Sequence, residues 1–142
     1  ARIAVATKVP IGADEGIHSL EDIERHHARG AAAGVSLKAI KLGGLRALFE
    51  ACRLCDRLGM KVNISCKTGE SSVASAAALH LAAAVPVLGW GLTLTSSGLA
   101  EDAVREPLRI DGGHAVVPEG SGLGIDVDEQ RLRGGQQTRM VA

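Results

Sequence analysis

The chain has 142 residues, of which 46% are hydrophobic and only two, Phe49 and Trp90, are aromatic. Its 16 basic residues balance its 16 acidic ones, which argues against a binder of nucleic acid or of an anionic membrane surface, because such proteins carry excess positive charge. No apolar run approaches the roughly 20 residues of a membrane span, and we see no signal peptide. We therefore expect a cytoplasmic protein whose core is built from Ala, Val, Leu and Ile.

Four short apolar runs alternate with helical segments along the first 90 residues. The runs cover Val9–Ala13, Val35–Ile40, Met60–Ile64 and Val85–Leu88, and their starts are about 25 residues apart. Strands joined by helices at this spacing indicate a parallel sheet with right-handed crossovers. Parallel strands are covered on both faces, so we expect each run to be buried on both sides.

The helical segments carry recognisable start and stop signals. Ser19 and the acidic residues after it resemble a capping box, which predicts a helix that ends near Gly30. A second helix is predicted from Gly44 to Leu58, with Gly59 as its stop. A third is predicted from Ser71 or Ser72 to Ala84, where Pro86 prevents its continuation.

Three cysteines occur in the chain, and an odd number cannot pair completely within it. Cys52 and Cys55 form a C-x-x-C motif, which in other settings indicates a redox site or half of a zinc site. Here the motif lies inside the second predicted helix, with no second pair and no nearby histidine. We interpret these cysteines, and Cys66, as buried thiols in a reducing compartment.

The pattern changes after the fourth run. Leu108–Ile110 and Ala115–Val117 flank Asp-Gly-Gly-His, which predicts a β-hairpin. A glycine-rich loop at 118–124 and a short helical turn at 126–132 should follow it. We divide the chain into a barrel part (1–106), a hairpin and loop extension (107–133) and a disordered tail (134–142).

Polar residues follow several of the apolar runs, and their positions distinguish two possible architectures. They are Asp14 and Glu15 after the first run, Lys38 and Lys41 at the second, Cys66 and Lys67 after the third, and Trp90 after the fourth. An open doubly wound sheet concentrates its site at one switch point, whereas a (β/α)₈ barrel places functional groups at the carboxyl ends of several strands. We favour the barrel. A complete barrel needs roughly 250 residues, so this α/β chain should be half of one.

Lys38 is the strongest candidate for a catalytic residue. It lies within the apolar segment Val35–Ile40, where burial would disfavour the ammonium ion and lower the pKa of the amine. A neutral amine at working pH is a competent general base. The alternative is a structural lysine whose ammonium extends to solvent at the strand end. Lys41 is either a surface cation or a contact to an anionic substrate.

Asp14 and Glu15 are candidate metal or substrate ligands. Adjacent strand residues point to opposite faces, so at most one of them should face the barrel axis. A single carboxylate there suits Mg²⁺, which takes few protein oxygens and keeps several waters. The alternative is a solvated acidic turn.

Three segments together resemble the enolase superfamily, in the branch of muconate-lactonising and mandelate-racemase-like enzymes. They are A-D-E at 13–15, L-K-A-I-K-L-G-G at 37–44, and G-L-G-I-D-V-D-E-Q-R-L at 122–132. Their order and separations match those of that branch. The resemblance spans residues 9 to 132.

The resemblance implies that the chain is the C-terminal half of a (β/α)₈ barrel, strands five to eight. Asp14 would match one of three carboxylate ligands of an essential Mg²⁺, and the other two would lie outside this chain. Lys38 would match the acid/base lysine on the sixth strand, which handles the proton alpha to a substrate carboxylate. The missing N-terminal barrel half and capping domain would be partners in the full protein, which we expect to be a homo-oligomer. The fragment alone should be inactive.

Two segments depart from the muconate-lactonising pattern. No acidic residue follows Trp90 in Trp-Gly-Leu-Thr-Leu-Thr, and the segment from Cys66 to Ser71 differs from the usual glycine-rich version. Trp90 could bind a substituted ammonium through cation–π contact, or it could simply fill the core. Lys67 could contact substrate or pair with Glu70.

These observations predict an enzyme that abstracts the α-proton of a small carboxylate, as a racemase, epimerase or muconate-type cycloisomerase. A dehydratase of a hydroxy or amino acid derivative is one alternative. A non-catalytic α/β module that binds a ligand or partner is another.

Overall fold

The fold is a four-stranded parallel sheet covered by helices on one face. A computed structural model describes the backbone of residues 1–137 and the side chains of residues 1–133. The strands pair strictly in sequence order, β1-β2-β3-β4. Their bounds are Gly12–Ala13 (β1), Gly34–Leu37 (β2), Lys61–Ser65 (β3) and Leu92–Thr93 (β4). Because the order never reverses, the sheet has the winding of half a barrel and not that of a doubly wound sheet.

The helices begin and end close to their predicted signals. Ser19 accepts a hydrogen bond from the Asp22 N–H at 3.2 Å, which confirms the predicted cap. The second predicted helix ends as expected, at a left-handed Gly59 with φ of +65°. The bounds are Arg2–Ala6 (α1), Leu20–Ala28 (α2), Ala39–Leu42 (α3), Leu45–Arg57 (α4) and Ser72–Ala84 (α5).

The two longer strands, β2 and β3, bury mainly one face, so the prediction of strands buried on both sides is wrong for this chain. Val35 and Leu37 of β2 are fully buried against the helices, whereas Ser36 between them is partly exposed. The same alternation holds in β3, where Val62 and Ile64 are fully buried and Asn63 is partly exposed. The polar face is the inner face of the half barrel, and no strand in the described residues covers it.

Three predicted strands differ from those observed, and the first run, Val9–Ala13, is a strand only at Gly12–Ala13. The segment 85–88 is not β4 but the connection that leads to it, because Pro86 cannot donate to a strand ladder. Val85 and Leu88 still pack against the core. The second run is also shorter than predicted: β2 ends at Leu37, and Lys38 is the N-cap of α3.

The hairpin is confirmed, with β5 (Ile110–Asp111) paired antiparallel to β6 (His114–Ala115). Helix α6 covers Glu129–Gln137. Residues 134–137, which we predicted to be disordered, are therefore helical, and the rest of the predicted tail, 138–142, lies outside the described residues. Within residues 1–137, no helix is both long and apolar enough to cross a membrane.

The three cysteines are free and buried, as we interpreted them. Burial raises the pKa of the Cys52 thiol to about 11 and, together with the nearby Cys52, that of Cys55 to about 12. Burial also raises the pKa of Cys66 to about 11. Thiols of this kind are unreactive, because the thiolate is the nucleophile and the metal ligand.

Trp90 packs at the amino ends of the strands. A Cβ atom built on Gly12 would lie 2.9 Å from the Trp90 ring, and one built on Gly34 would lie 2.6 Å from it. The Gly34 position would also place Cβ 2.4 Å from the carbonyl oxygen of Lys61. Glycine at position 34 thus lets the ring and the neighbouring strand approach the backbone.

We predict that Gly34→Ala lowers the free energy of unfolding by about 2–3 kcal/mol, because the new methyl group must displace the ring or the β3 backbone. Denaturant unfolding measures this. Gly98→Ala is the matched control, since nothing lies within 4 Å of its added Cβ. Equal stability of the two variants would contradict the close packing.

Candidate active site

The carboxyl edge of the sheet gathers four charged side chains into one cluster. The parallel register pairs Ala13 with Val35 and Leu37 with Ile64, so the residues that follow β1 and β2 emerge side by side. We call these residues the edge cluster: Asp14, Glu15, Lys38 and Lys41. Sequence reasoning selected all four, and the structure brings them together.

Lys38 is the buried centre of the edge cluster. Only 6% of the residue is exposed. Its ammonium is ion-paired with the Asp14 carboxylate and lies 3.2 Å from Oε1 of Glu15. The amine is therefore fixed by two acidic partners and does not extend into solvent.

The pKa of Lys38 differs from the prediction. Burial lowers this pKa, as expected, but hydrogen bonds and charges from Asp14 and Glu15 together outweigh burial and raise it above its usual value. The prediction of an uncharged amine is therefore wrong for this chain. The sequence showed the apolar strand around Lys38 but not that both carboxylates would reach its ammonium.

Glu15 links the two lysines of the cluster. Lys41 is ion-paired with the Glu15 carboxylate, and its ammonium also donates to the Glu15 carbonyl oxygen at 2.7 Å. Hydrogen bonds from Lys41 and Lys38 lower the pKa of Glu15 to about 2. Lys41 is thus held at the cluster and is not a free surface cation.

Lys67 lies on the neighbouring loop, residues 66–71, between β3 and α5. Its side chain is exposed and makes no ion pair among the described residues. Glu70 instead accepts a hydrogen bond from the Lys67 backbone N–H at 2.8 Å. The loop therefore presents an exposed cation at the carboxyl edge.

Trp90 does not join the edge cluster. Its ring packs over Gly12 and Gly34 at the opposite, amino end of the strands. Trp90 is partly buried there and is not among the residues of the core under the helices, and its placement separates the indole from Asp14 and Lys38.

A polar layer lies beneath the cluster, and sequence reasoning missed it. The Asn63 side chain accepts a hydrogen bond from Ser36 Oγ at 3.1 Å. Its amide donates to the Gly91 carbonyl oxygen at 3.0 Å and to Thr93 Oγ1 at 3.3 Å. The layer thus ties three strands together on the inner face. The sequence did contain a signal for this layer, namely the single polar residue in Val-Ser-Leu and in Val-Asn-Ile. We treated both segments as apolar runs.

The carboxylate donors fit part of a magnesium site. Asp14 has 54% of its side chain exposed and offers hard oxygen donors at the strand end. No group of three His, Cys, Asp or Glu side chains that could hold a metal occurs among the described residues. The chain can therefore contribute Asp14 to such a site but cannot complete it.

We predict that Glu15 stabilises the fold in a pH-dependent way. Its pKa falls from the usual 4.5 to about 2 on folding, so the stabilisation is complete above pH 4.5 and is lost as the pH falls towards 2. Thermal unfolding should show wild type more stable than Glu15→Gln at pH 6, with the difference shrinking below pH 4.5. Glu24→Gln removes an exposed glutamate without an ion pair among the described side chains and should change stability little. A constant difference between wild type and Glu15→Gln across this range would refute the assignment.

Comparisons with known proteins agree with the geometry. Residues 1–131 match the family model described as Enolase C-terminal domain-like. Muconate cycloisomerase 1 of Rhodococcus opacus is 32% identical over 126 residues, which cover 88% of this chain and 34% of that protein. The o-succinylbenzoate synthase of Thermobifida fusca is 39% identical over 133 residues, covering 93% of this chain and 39% of that protein.

A solved structure is also similar to this chain. The crystal structure of 2-chloromuconate cycloisomerase from Rhodococcus opacus 1CP superimposes with a TM-score of 0.87 and 32% identity, covering 94% of this chain and 36% of that one. The chain thus spans about a third of the length of the relatives it matches. It is the C-terminal barrel half and belongs to the enolase superfamily, in the branch that contains the muconate cycloisomerases.

Proposed function

We propose that the full-length protein is a Mg²⁺-dependent enzyme that abstracts the α-proton of a small carboxylate substrate. The products would be those of racemisation, epimerisation or muconate-type cycloisomerisation. The observation that carries the proposal is the buried Lys38 amine, held beside Asp14 at the carboxyl edge of a parallel sheet. Functional groups of barrel enzymes lie at this edge.

Lys38 is the proposed acid/base residue. Its Nζ would accept the α-proton and return one to the substrate carbon, and its burial keeps water away from that transfer. Asp14 would hold Mg²⁺ together with ligands from outside this chain, and the ion when bound supplies electrostatic stabilisation of the negative charge on the substrate. Lys41 and Lys67 are proposed to bind the substrate carboxylate, and Glu15 to orient Lys41.

The full protein is proposed to complete this site. An N-terminal barrel half and a capping domain would supply the remaining ligands and cover the substrate, in a homo-oligomer. The isolated chain is proposed to be inactive, since it supplies one of three metal ligands. It also leaves Lys38 in its charged form between two carboxylates.

The names of the relatives support isomerase chemistry and leave the substrate open. They include cycloisomerases and, at 26% identity and a TM-score of 0.86, the N-succinyl Arg/Lys racemase of Bacillus cereus. A dehydratase is the second candidate, because a probable glucarate dehydratase of Streptomyces coelicolor is 30% identical over 132 residues. A non-catalytic module fits these enzyme relatives less well.

We predict that Lys38→Met in the full-length protein lowers the rate of α-proton exchange at least about 100-fold, since the proton acceptor is lost. The assay follows deuterium incorporation from D₂O by NMR, with Mg²⁺, across a library of small carboxylates. Lys8→Met removes an exposed lysine outside the edge cluster and serves as the control with wild-type activity expected. The absence of exchange with every carboxylate in folded wild-type protein would refute the proposed function.

Asp14→Asn gives a separate prediction about the metal. Loss of one anionic ligand should weaken Mg²⁺ binding by about 10- to 100-fold, because a neutral amide oxygen is a poorer partner for a hard cation. Titration calorimetry of the metal-free full-length protein measures the affinity for Mg²⁺ and needs no activity assay. Unchanged affinity would exclude Asp14 as a ligand.

A further inference from the structure

We propose that Asp102 is a positioning residue that fixes the loop 66–71 at the carboxyl edge and thereby sets the affinity for substrate. The link to affinity rests on the function proposed above, because it uses Lys67 as a substrate contact. The clamp itself depends only on the contacts of Asp102. Sequence analysis assigned this residue no role.

Asp102 caps helix α5 from 30 residues away. The N-cap residue Ser71 makes no side-chain cap hydrogen bond. The Asp102 carboxylate accepts from the Ser72 N–H instead, at 3.0 and 3.1 Å to its two oxygens, and from Ser72 Oγ at 2.5 Å. Ser72 is fully buried. The first N–H groups of a helix have no partner within it, and a carboxylate there is also favoured by the helix dipole.

Asp102 is itself anchored to the C-terminal extension. Its carboxylate accepts from the N–H of Ala103 at 2.7 Å, and the carbonyl of Ala103 accepts from the Asp128 N–H at 2.8 Å. Val104, which is fully buried, forms a bridge with Val127. The carboxylate therefore joins the start of α5 to a packed segment and not to a loose loop.

The loop 66–71 is also attached to the sheet and to helix α5. Cys66 Sγ lies 3.8 Å from Ser75 Oγ, and the Ser71 carbonyl oxygen accepts from the Ser75 N–H at 3.0 Å. Two attachments to the segment 93–95 lie near the beginning of the loop. The Cys66 N–H donates to the Thr93 carbonyl oxygen at 2.9 Å, and Thr95 Oγ1 donates to the Lys67 carbonyl oxygen at 2.6 Å. Asp102 holds the other end through Ser72. Without it, the far end of the loop would keep its junction with α5 but lose its attachment to the segment after β4, and the loop that carries Lys67 would be held less firmly.

None of the hydrogen bonds of Asp102 involves the edge cluster. Loss of the clamp should therefore disturb the placement of Lys67 and leave Lys38 and Asp14 where they are. The expected kinetic effect is on KM and not on kcat, because binding is weakened while the proton transfer step is unchanged.

The first test uses amide hydrogen exchange of the full-length protein, without substrate. Asp102→Ala, which removes both acceptor oxygens, should speed exchange in peptides covering 66–75 about five- to tenfold, the usual scale for a lost cap. Asp126→Ala is the matched control, because Asp126 lies in the extension to which Asp102 is anchored and its carboxylate, among the described residues, pairs with exposed Arg105 at 3.1 Å. Unchanged exchange in 66–75 for Asp102→Ala would overturn the clamp. Ser72→Ala, which removes one donor, provides a milder variant if Asp102→Ala does not fold.

The second test is a double-mutant cycle on KM and kcat in the full-length protein. Asp102→Ala should raise KM about five- to tenfold with kcat changed less than about twofold. In a Lys67→Gln background, Asp102→Ala should raise KM no further, because the effects of two residues that act through one another are not additive. Additive effects, or a matching loss of kcat, would show a merely structural role.

The two tests separate failure of the clamp from failure of the proposed function. If wild-type protein exchanges no α-proton, the proposed function fails, and the hydrogen-exchange test still decides whether Asp102 holds the loop. If the loop loosens but KM does not change, the assignment of Lys67 as the contact through which Asp102 acts is overturned.

Discussion

The parallel register of β1, β2 and β3 is the constraint on which the site depends. It pairs Leu37 with Ile64 and continues across the sheet, so each strand reaches its carboxyl end at the same level as its neighbours. Because successive residues point to opposite faces, one set of side chains packs on the helices while the other faces the barrel interior. A shift of one residue in the register of β2 would turn Lys38 and Ser36 away from the barrel interior and put Leu37 and Val35 there in their place.

Charge balance in the edge cluster follows from that geometry. Two carboxylates and two ammonium groups lie at one strand edge, and Lys38 is buried between its acidic partners. A buried ammonium is tolerated when it is paired, and removal of one partner leaves an uncompensated charge. The same pairing that stabilises Lys38 in this chain also raises its pKa, so the electrostatics depend on what else occupies the site.

Long-range hydrogen bonds hold the loops that surround the cluster. Asn63 ties β2 to β4 on the inner face, and Asp102, which is anchored to the C-terminal extension through Ala103, caps α5. These contacts join residues about 30 positions apart, and those of Asp102 satisfy the N–H and hydroxyl of the buried Ser72 at the start of α5. The extension is therefore part of the support of the candidate site.

Local patterns in the sequence determined the alternation of the first three strands with helices, the caps at Ser19 and Gly59, and the choice of Lys38 as a candidate. These features depend on residues a few positions apart, which a sequence displays directly. Only the tertiary structure decided that Asp14 and Glu15 both reach Lys38, that Trp90 lies at the far end of the strands, and that Asp102 caps α5. Each of these features depends on the register and packing of segments that are distant in the sequence. Such contacts set the pKa of Lys38 and the surroundings of Trp90, and the local sequence pattern does not record them.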